Sequence, residues 1–301
     1  QHLIFELAGV PFAVTARNDL PLNLPTPYRL FLPSGPVREK PTRIRVVGAD
    51  TALPPIQGDD LFWSCDTWRL GPNAPGRWTL EIQVAPTGPW LAVAEGASDF
   101  SNLRIRLRAG RQGLPTDQAL HYPTDQFFLV QRLARRRALI VHAAGIIWEG
   151  RGYILAGRSG AGKTTLARIW RQRGARLLND DRIIVREIDG QPMLFASPWP
   201  GEERTVINES APLAGILHLV QAPTNRATPL GGAEAAAHLM ATAVAPFYSS
   251  AALQNLLGVA ERITRALPSH LLEFRPEAEA ITVSLDAMRS GAKGAVRASQ
   301  N

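Results

Sequence analysis

The feature that most constrains this chain is the octapeptide Gly157-Arg158-Ser159-Gly160-Ala161-Gly162-Lys163-Thr164. It fits the pattern G-x-x-x-x-G-K-[ST], whose glycines allow backbone angles that a side chain forbids and let amide N–H groups turn inward onto an anion. The apolar run Tyr153-Ile154-Leu155-Ala156 precedes it and an amphipathic run over 163–173 follows. The order is therefore strand, loop, helix, and the helix presents its positive end to the same anion. Lys163 is placed to reach the β- and γ-phosphates, and the Thr164 hydroxyl to ligate Mg²⁺. Gly157, Arg158, Ser159, Gly160, Ala161, Gly162, Lys163, Thr164 and Thr165 form the expected nucleotide-binding set. The expected cofactors are ATP and Mg²⁺, with GTP or pyrophosphate left open. Such a loop implies an α/β core but serves kinases, hydrolases and switches alike, so it does not choose the reaction.

Composition narrows the surroundings. A chain of 301 residues with 45% hydrophobic and 20% charged residues is long and apolar enough to bury a core. Cys65 is the only cysteine, which excludes a disulfide framework and suits a reducing, cytoplasmic setting. No apolar run reaches the ~18–20 residues of a membrane span, and no basic-then-apolar leader opens the sequence. The net charge of +7 raises nucleic acid as a partner. Three of those charges, Arg289, Lys293 and Arg297, fall in the last 15 residues, and others can be placed at a helix end or around a phosphate. Nucleic acid is therefore disfavoured, and no membrane partner is expected. The oligomeric state, a homo-oligomer included, stays open.

Three regions are expected. Residues 1–120 read as β-rich, with strands over 3–15, 28–32, 43–47, 61–70, 77–84, 90–94 and 103–108 separated by Pro and Gly. The run over 103–108 alternates Leu103, Ile105 and Leu107 with Arg104, Arg106 and Arg108, which reads as a sheet with one solvated face. Trp63, Trp68, Trp78 and Trp90 are expected to fill that core. Residues 121–286 form the phosphate-loop domain. It opens with a helix capped at Thr124 or Asp125 and ends its first turn run at Arg135-Arg136-Arg137, where basic charge suits a helix C-terminus. Strands follow over 138–143 and 153–156, then the helix 163–173, strands 176–178, 183–188 and 213–220, and helices over 233–245 and 250–266. Residues 287–301, mostly small and without an acid, are expected to be a disordered basic tail.

Chemistry beyond the loop is carried by few residues. Asn179-Asp180-Asp181 lies just past a short apolar strand, after the helix that follows the loop. A phosphotransfer site needs a carboxylate near Mg²⁺, and a kinase needs one to accept the proton of the attacking hydroxyl; two adjacent carboxylates at a strand end can divide these tasks. His142, in Val141-His142-Ala143-Ala144-Gly145, reads from spacing alone as a satisfied core histidine more readily than as a reactive one. His218 and His238 read as structural, and no Cys/His cluster has zinc-ligand spacing.

Taken together, His142-Ala-Ala-Gly145, the loop 157–164 and Gly174-Ala-Arg-Leu-Leu-Asn-Asp180-Asp181 resemble the catalytic domain of HPr kinase/phosphorylase. More closely they resemble the bacterial HPr-kinase-related proteins, some of which modify peptide natural products. The resemblance spans roughly 121–285 and implies an α/β fold shared with phosphoenolpyruvate carboxykinase, here preceded by the β-rich region. It implies that Asp181 is the general base, that Asp180 and Thr164 stand at Mg²⁺, that Lys163 holds the transferring phosphate and that His142 lies beside the reacting phosphoryl group. The acidic, glycine-rich segment that supplies a further metal ligand in HPr kinases departs from the pattern; Trp199-Pro200-Gly201-Glu202-Glu203 is nearest, with Glu202 taken as the ligand and Glu203 as its rival. Arg226 is a candidate phosphate or substrate clamp, weighed equally against a solvated turn residue. The implied activity is ATP- and Mg²⁺-dependent transfer of the γ-phosphoryl group to a hydroxyl, a serine of a protein or peptide, with the acceptor unidentified. The alternatives are a nucleotide-binding regulatory protein without efficient transfer, a small-metabolite kinase and a nucleic-acid-associated ATPase; a carboxykinase is disfavoured by chain length.

Overall fold

The computed structural model describes residues 2–17, 22–48, 50–59, 62–64, 67–83, 90–107, 120, 122, 124–246 and 249–298. The chain divides into two compact units, Gln1–Arg136 with Pro246–Ser249, and Arg137–Ala245 with Ser250–Asn301. Cys65 and Arg108 and the side chains of Trp63 and Trp90 lie outside the described residues. Among the described residues no helix is long and apolar enough to cross a membrane.

The first unit is built on eight strands: β1 (His2–Leu7), β2 (Val10–Ala16), β3 (Thr42–Val47), β4 (Phe62–Ser64), β5 (Trp68–Ala74), β6 (Arg77–Gln83), β7 (Trp90–Ala97) and β8 (Asn102–Leu107). They form one sheet in the order β1-β2-β3-β8-β7-β6-β5-β4, antiparallel except where β3 runs parallel to β2 and β8. The expected strand over 3–15 is a hairpin, turned at Ala8 and Gly9. The expected strand over 28–32 is instead the short helix α1 (Thr26–Arg29), with Pro27 in its first turn, where a missing N–H is harmless. On β8, Leu103 and Ile105 are buried as the alternation predicts. The opposite face is less bare than expected, because Arg104 and Arg77 both ion-pair with the buried Glu95 carboxylate.

Helix α2 (Thr124–Arg135), expected to open the second region, packs within the first compact unit. Phe127 sits edge-on to Trp78 at 5.1 Å, and Phe100 lies within 5.6 Å of Phe127. Buried Tyr28 donates from Oη to Asp125 at 2.8 Å. The basic end is used up by tertiary partners: Arg135 donates to the Ser98 carbonyl, and Arg136 pairs with Glu39. Aromatic burial, not the capping signal that marks the helix's start, decides which unit owns it.

The second unit holds β9 (Ala138–Trp148), β10 (Arg151–Ala156), α3 (Lys163–Gln172), β11 (Arg176–Asn179), β12 (Arg182–Ile188), β13 (Gln191–Ala196), β14 (Ser210–Gln221), β15 (Arg226–Pro229), α4 (Gly232–Ala241), α5 (Ser250–Ala266), β16 (Ser269–Phe274) and α6 (Glu279–Ala298). The sheet order is β10-β9-β12-β13-β14-β16-β15, with β11 added on β9 and β14 returning to pair with β10. Strand β13 has no counterpart in the sequence expectation; Asp189-Gly190, with φ of 50° and 79°, makes the tight turn that brings it back on β12. Parallel neighbours β10, β14 and β16 form the part of the sheet that carries the phosphate loop. Helix α6 runs on from the core, where Ile281 and Met288 are buried, into the segment expected to be a basic tail, as far as Ala298.

One face of this sheet is packed by α3 and α6. Leu166, Ala167 and Trp170 of α3 join Leu155, Leu217, Leu219, Leu272 and Phe274 in a continuous core. Trp170 is 1% exposed, stacked on Tyr153 and edge-on to Trp148. Trp170→Ala is expected to cost about 3–5 kcal/mol in chemical denaturation, as large aromatic truncations in cores do. A loss below about 1 kcal/mol would show that α3 is held by something other than this ring.

Candidate functional site

The phosphate loop sits between β10 and α3, at the carboxyl end of the parallel strands, where open α/β sheets bind ligands. Gly162 is the N-cap of α3 with φ 90°, and a Cβ there would meet Phe274 Cζ at 2.8 Å. Among the described residues no side chain caps the helix, and no acid lies in its first turn, so no neighbouring charge compensates its positive dipole end. Lys163 Nζ donates to the carbonyls of Gly157 and Arg158, each at 3.0 Å, and is 7% exposed. Burial pushes its ammonium below the ordinary lysine value, while the charges of Asp181, Asp180 and Glu202 act the other way. The fold thus brings Lys163 and these three acids into one electrostatic neighbourhood. From β14, Gln221 Nε2 donates to the Gly160 carbonyl at 2.7 Å and pins the loop's crown.

The two aspartates have different surroundings. Asp180 is 3% exposed; its Oδ1 accepts the Gly201 N–H and its Oδ2 the Glu203 N–H, both at 3.0 Å. A Cβ on Gly201 would lie 2.8 Å from Asp180 Oδ1, so only glycine lets that turn close on the carboxylate. Asp181 is partly exposed and faces His142 and Arg182. Its carboxylate lies 3.0 Å from His142 Nδ1 and accepts from Arg182 Nη1 at 2.6 Å. The register that pairs Arg182 with His142 across β12 and β9 sets this geometry. His142 Nδ1 also lies 3.0 Å from the Asp181 carbonyl. Two acceptors at Nδ1 place the proton there and leave the lone pair of the neutral ring on Nε2. Burial pushes the Asp181 carboxyl up, but the His142 hydrogen bond and the charges of Arg182, His142 and Lys163 outweigh it and hold it below the usual aspartate value.

Sequence reasoning gave no role to Asn179, which is fully buried. Its Nδ2 donates to the carbonyls of Ser197 and Trp199, both at 3.0 Å, and its Oδ1 accepts the N–H groups of Asp181 and Arg182. An amide beside two acids was the available signal, because Asn at a strand end bonds its own following backbone. Trp199 is buried, its carbonyl part of that clasp. Glu203 is taken by Arg168 at 2.6 Å and Arg171 at 2.9 Å, and the Arg168 hydrogen bond leads the effects that lower its pKa. Glu202 is exposed, and its charge is felt at Lys163. Arg226 is not brought to the loop: it lies on β15 with β14 and β16 between it and β10, 71% exposed and 3.5 Å from Glu273. His218 is 4% exposed, its Nε2 has no hydrogen-bond partner among the described residues, and its ring lies 5.2 Å from that of His238.

Among the described residues no three His, Cys, Asp or Glu side chains converge into a metal cage. The oxygens available are the Thr164 hydroxyl, Glu202 and the second lone pairs of Asp180. These are hard oxygens, the donor type that Mg²⁺ takes together with waters and phosphates.

The lowered pKa of Asp181 has a pH consequence. Its contribution to stability is complete above the ordinary aspartate value of 3.8 and is lost as pH falls through the lower folded-state value. The stability gap between wild type and Asp181→Asn should therefore narrow as pH drops from about 5 to about 3 in denaturant titrations. A gap that stays constant over that range would remove the ion-paired reading of Asp181.

A family model described as SynChlorMet cassette protein ScmC matches residues 120–264. Among curated proteins none matches the chain. A solved structure of the Hpr(Ser) kinase/phosphatase from Coxiella burnetii is similar over 50% of this chain and 88% of its own, at 13% identity and a TM-score of 0.31. That likeness to an HPr kinase/phosphatase fold is distant, and the architecture stands as mixed α/β with a β-rich region.

Proposed function

We propose that the second unit is an ATP- and Mg²⁺-dependent phosphotransferase that moves the γ-phosphoryl group to a hydroxyl, with a serine of a protein or peptide as the acceptor class. The observation that carries this reading is the conjunction at Lys163: an ammonium folded onto a glycine-rich loop, at an uncapped helix N-terminus, within electrostatic reach of Asp180, Asp181 and Glu202. A triphosphate needs the first three, and a hydroxyl acceptor needs a carboxylate beside them.

In this reading the loop N–H groups and Lys163 bind the phosphates. Thr164, Asp180 and Glu202 would hold Mg²⁺, which when bound neutralises charge on the phosphate oxygens. Asp180, clamped by two N–H donors, keeps the 201–203 turn and so Glu202 in place. Asp181, kept ionised by His142 and Arg182, accepts the hydroxyl proton and orients the nucleophile. A loose phosphoryl transfer asks little covalent work of the base, so a carboxylate of lowered pKa suffices as long as it is aimed. His142 Nε2 is directed away from the Nδ1 clasp and is free to contact the transferring group.

Labelled ATP with candidate peptides and proteins tests this. Lys163→Ala is expected to abolish transfer and weaken nucleotide binding, while Asp181→Asn should keep nucleotide affinity and lose transfer by about 10²–10⁴-fold. Undiminished transfer in the Asp181→Asn protein would take the base assignment away.

A further inference from the structure

Beside the phosphate loop a cleft of about 750 Å³ opens in the second unit. Loop residues 157–161 form one wall, and His218, Gln221, Leu271, His238 and Ala241 contribute to the rest. Leu217 and Leu219 of β14 point into the core shared with α3 and α6. Strand alternation therefore turns His218 to the opposite face, toward His238 of α4. His218 is 4% exposed, and its Nε2 has no hydrogen-bond partner among the described residues. A buried polar atom without a partner destabilises a fold, so a ligand that enters beside the exposed His238 ring and reaches Nε2 completes a bond that the described residues leave unmade. Burial, with the neighbouring His238, lowers the His218 pKa to about 4, so at neutral pH the ring is uncharged and suits a neutral polar group.

The position within the loop selects the occupant. The cleft touches the first half of the loop and is lined by neither Lys163 nor Asp180, Asp181 or Glu202. Whatever fills it lies away from the reacting end of the phosphate chain. No acidic residue lines it among the described residues, while Leu271, Ala237 and Ala241 offer apolar surface suited to a flat ring. The exposed His238 ring, 5.2 Å from His218 and tilted by 49°, can cover one face of such a ring. Gln221 spends its Nε2 on the Gly160 carbonyl and keeps its own carbonyl oxygen for a donor.

We infer that this cleft receives the heteroaromatic base of the nucleoside triphosphate, with His218 Nε2 hydrogen-bonding the base edge and His238 packing on its face. The inference rests on the loop being a triphosphate site. It makes His218 and His238 the residues through which the protein distinguishes a nucleotide from a bare polyphosphate.

Calorimetric titration of the full chain with Mg²⁺–ATP and, separately, with Mg²⁺–tripolyphosphate separates the two readings. His218→Leu is expected to weaken ATP binding about ten-fold and leave tripolyphosphate affinity unchanged, and His218→Asn to recover part of the loss. Lys163→Ala should weaken both ligands. Wild-type protein that binds neither would end the phosphate-loop reading and this one with it. Wild-type binding of both, with a His218→Leu variant that loses both equally or neither, would overturn the base site alone. If His218→Leu does not fold, the exposed His238→Ala variant must show the ATP-selective loss; equal affinities there overturn the inference.

Discussion

The candidate site depends on one buried amide. Asn179 ends β11 with all four of its hydrogen-bonding positions used: two donors to the carbonyls of Ser197 and Trp199, and two lone pairs to the N–H groups of Asp181 and Arg182. It ties the strand that leads to the acidic pair to a segment 18 to 20 residues further on. With the backbone clasped there, Asp180 is turned onto the 201–203 turn, and Asp181 is left beside β9. An apolar replacement would orphan two buried carbonyls and two N–H groups, and the cost of such orphans exceeds the net worth of the bonds themselves.

From that clasp follows a division of labour between adjacent carboxylates. Asp180 is satisfied by neutral N–H donors and is nearly inaccessible, so it acts on the backbone of the 201–203 turn. Asp181 faces the His142 Nδ1 hydrogen bond and the charges of Arg182 and Lys163, which stabilise its ionised form despite partial burial. The neighbouring glutamates divide in the same way. Glu203 is locked onto α3 by two arginines, and that lock leaves Glu202 as the acid whose charge reaches Lys163. Two pairs of identical residue types, adjacent in sequence, are thus separated in role by their partners.

Much of this was legible beforehand, in proportion to how local its chemistry is. The loop could be read because glycine backbone freedom, a lysine and a following helix act within a few residues of one another. Leu103 and Ile105 were readable as a buried stripe because a strand's period is two. Helix α2 was readable as a helix but not as part of the first unit, because Trp78 and Phe100, which decide its place, are distant in sequence. The hairpin at Ala8-Gly9 was missed because alanine gives no turn signal, although its φ of 49° is what the tight turn demands. That Met288 is held in a core could not be read from composition, because its partners on β14 and β10 are distant in sequence.

By itself the sequence determined that the chain carries a glycine-rich strand-to-helix loop on an α/β core, an acidic pair after the loop's helix and a β-rich region ahead of it. These are consequences of short-range backbone geometry and hydrophobic periodicity. Only the tertiary structure decided which aspartate is buried, which glutamate is spent, that Arg226 stands away from the loop and that His218 is buried beside a cleft with its Nε2 unpartnered among the described residues. Those outcomes depend on which distant N–H, guanidinium or ring lies beside each group, and only the packing of the sheet and its helices brings such partners within bonding distance.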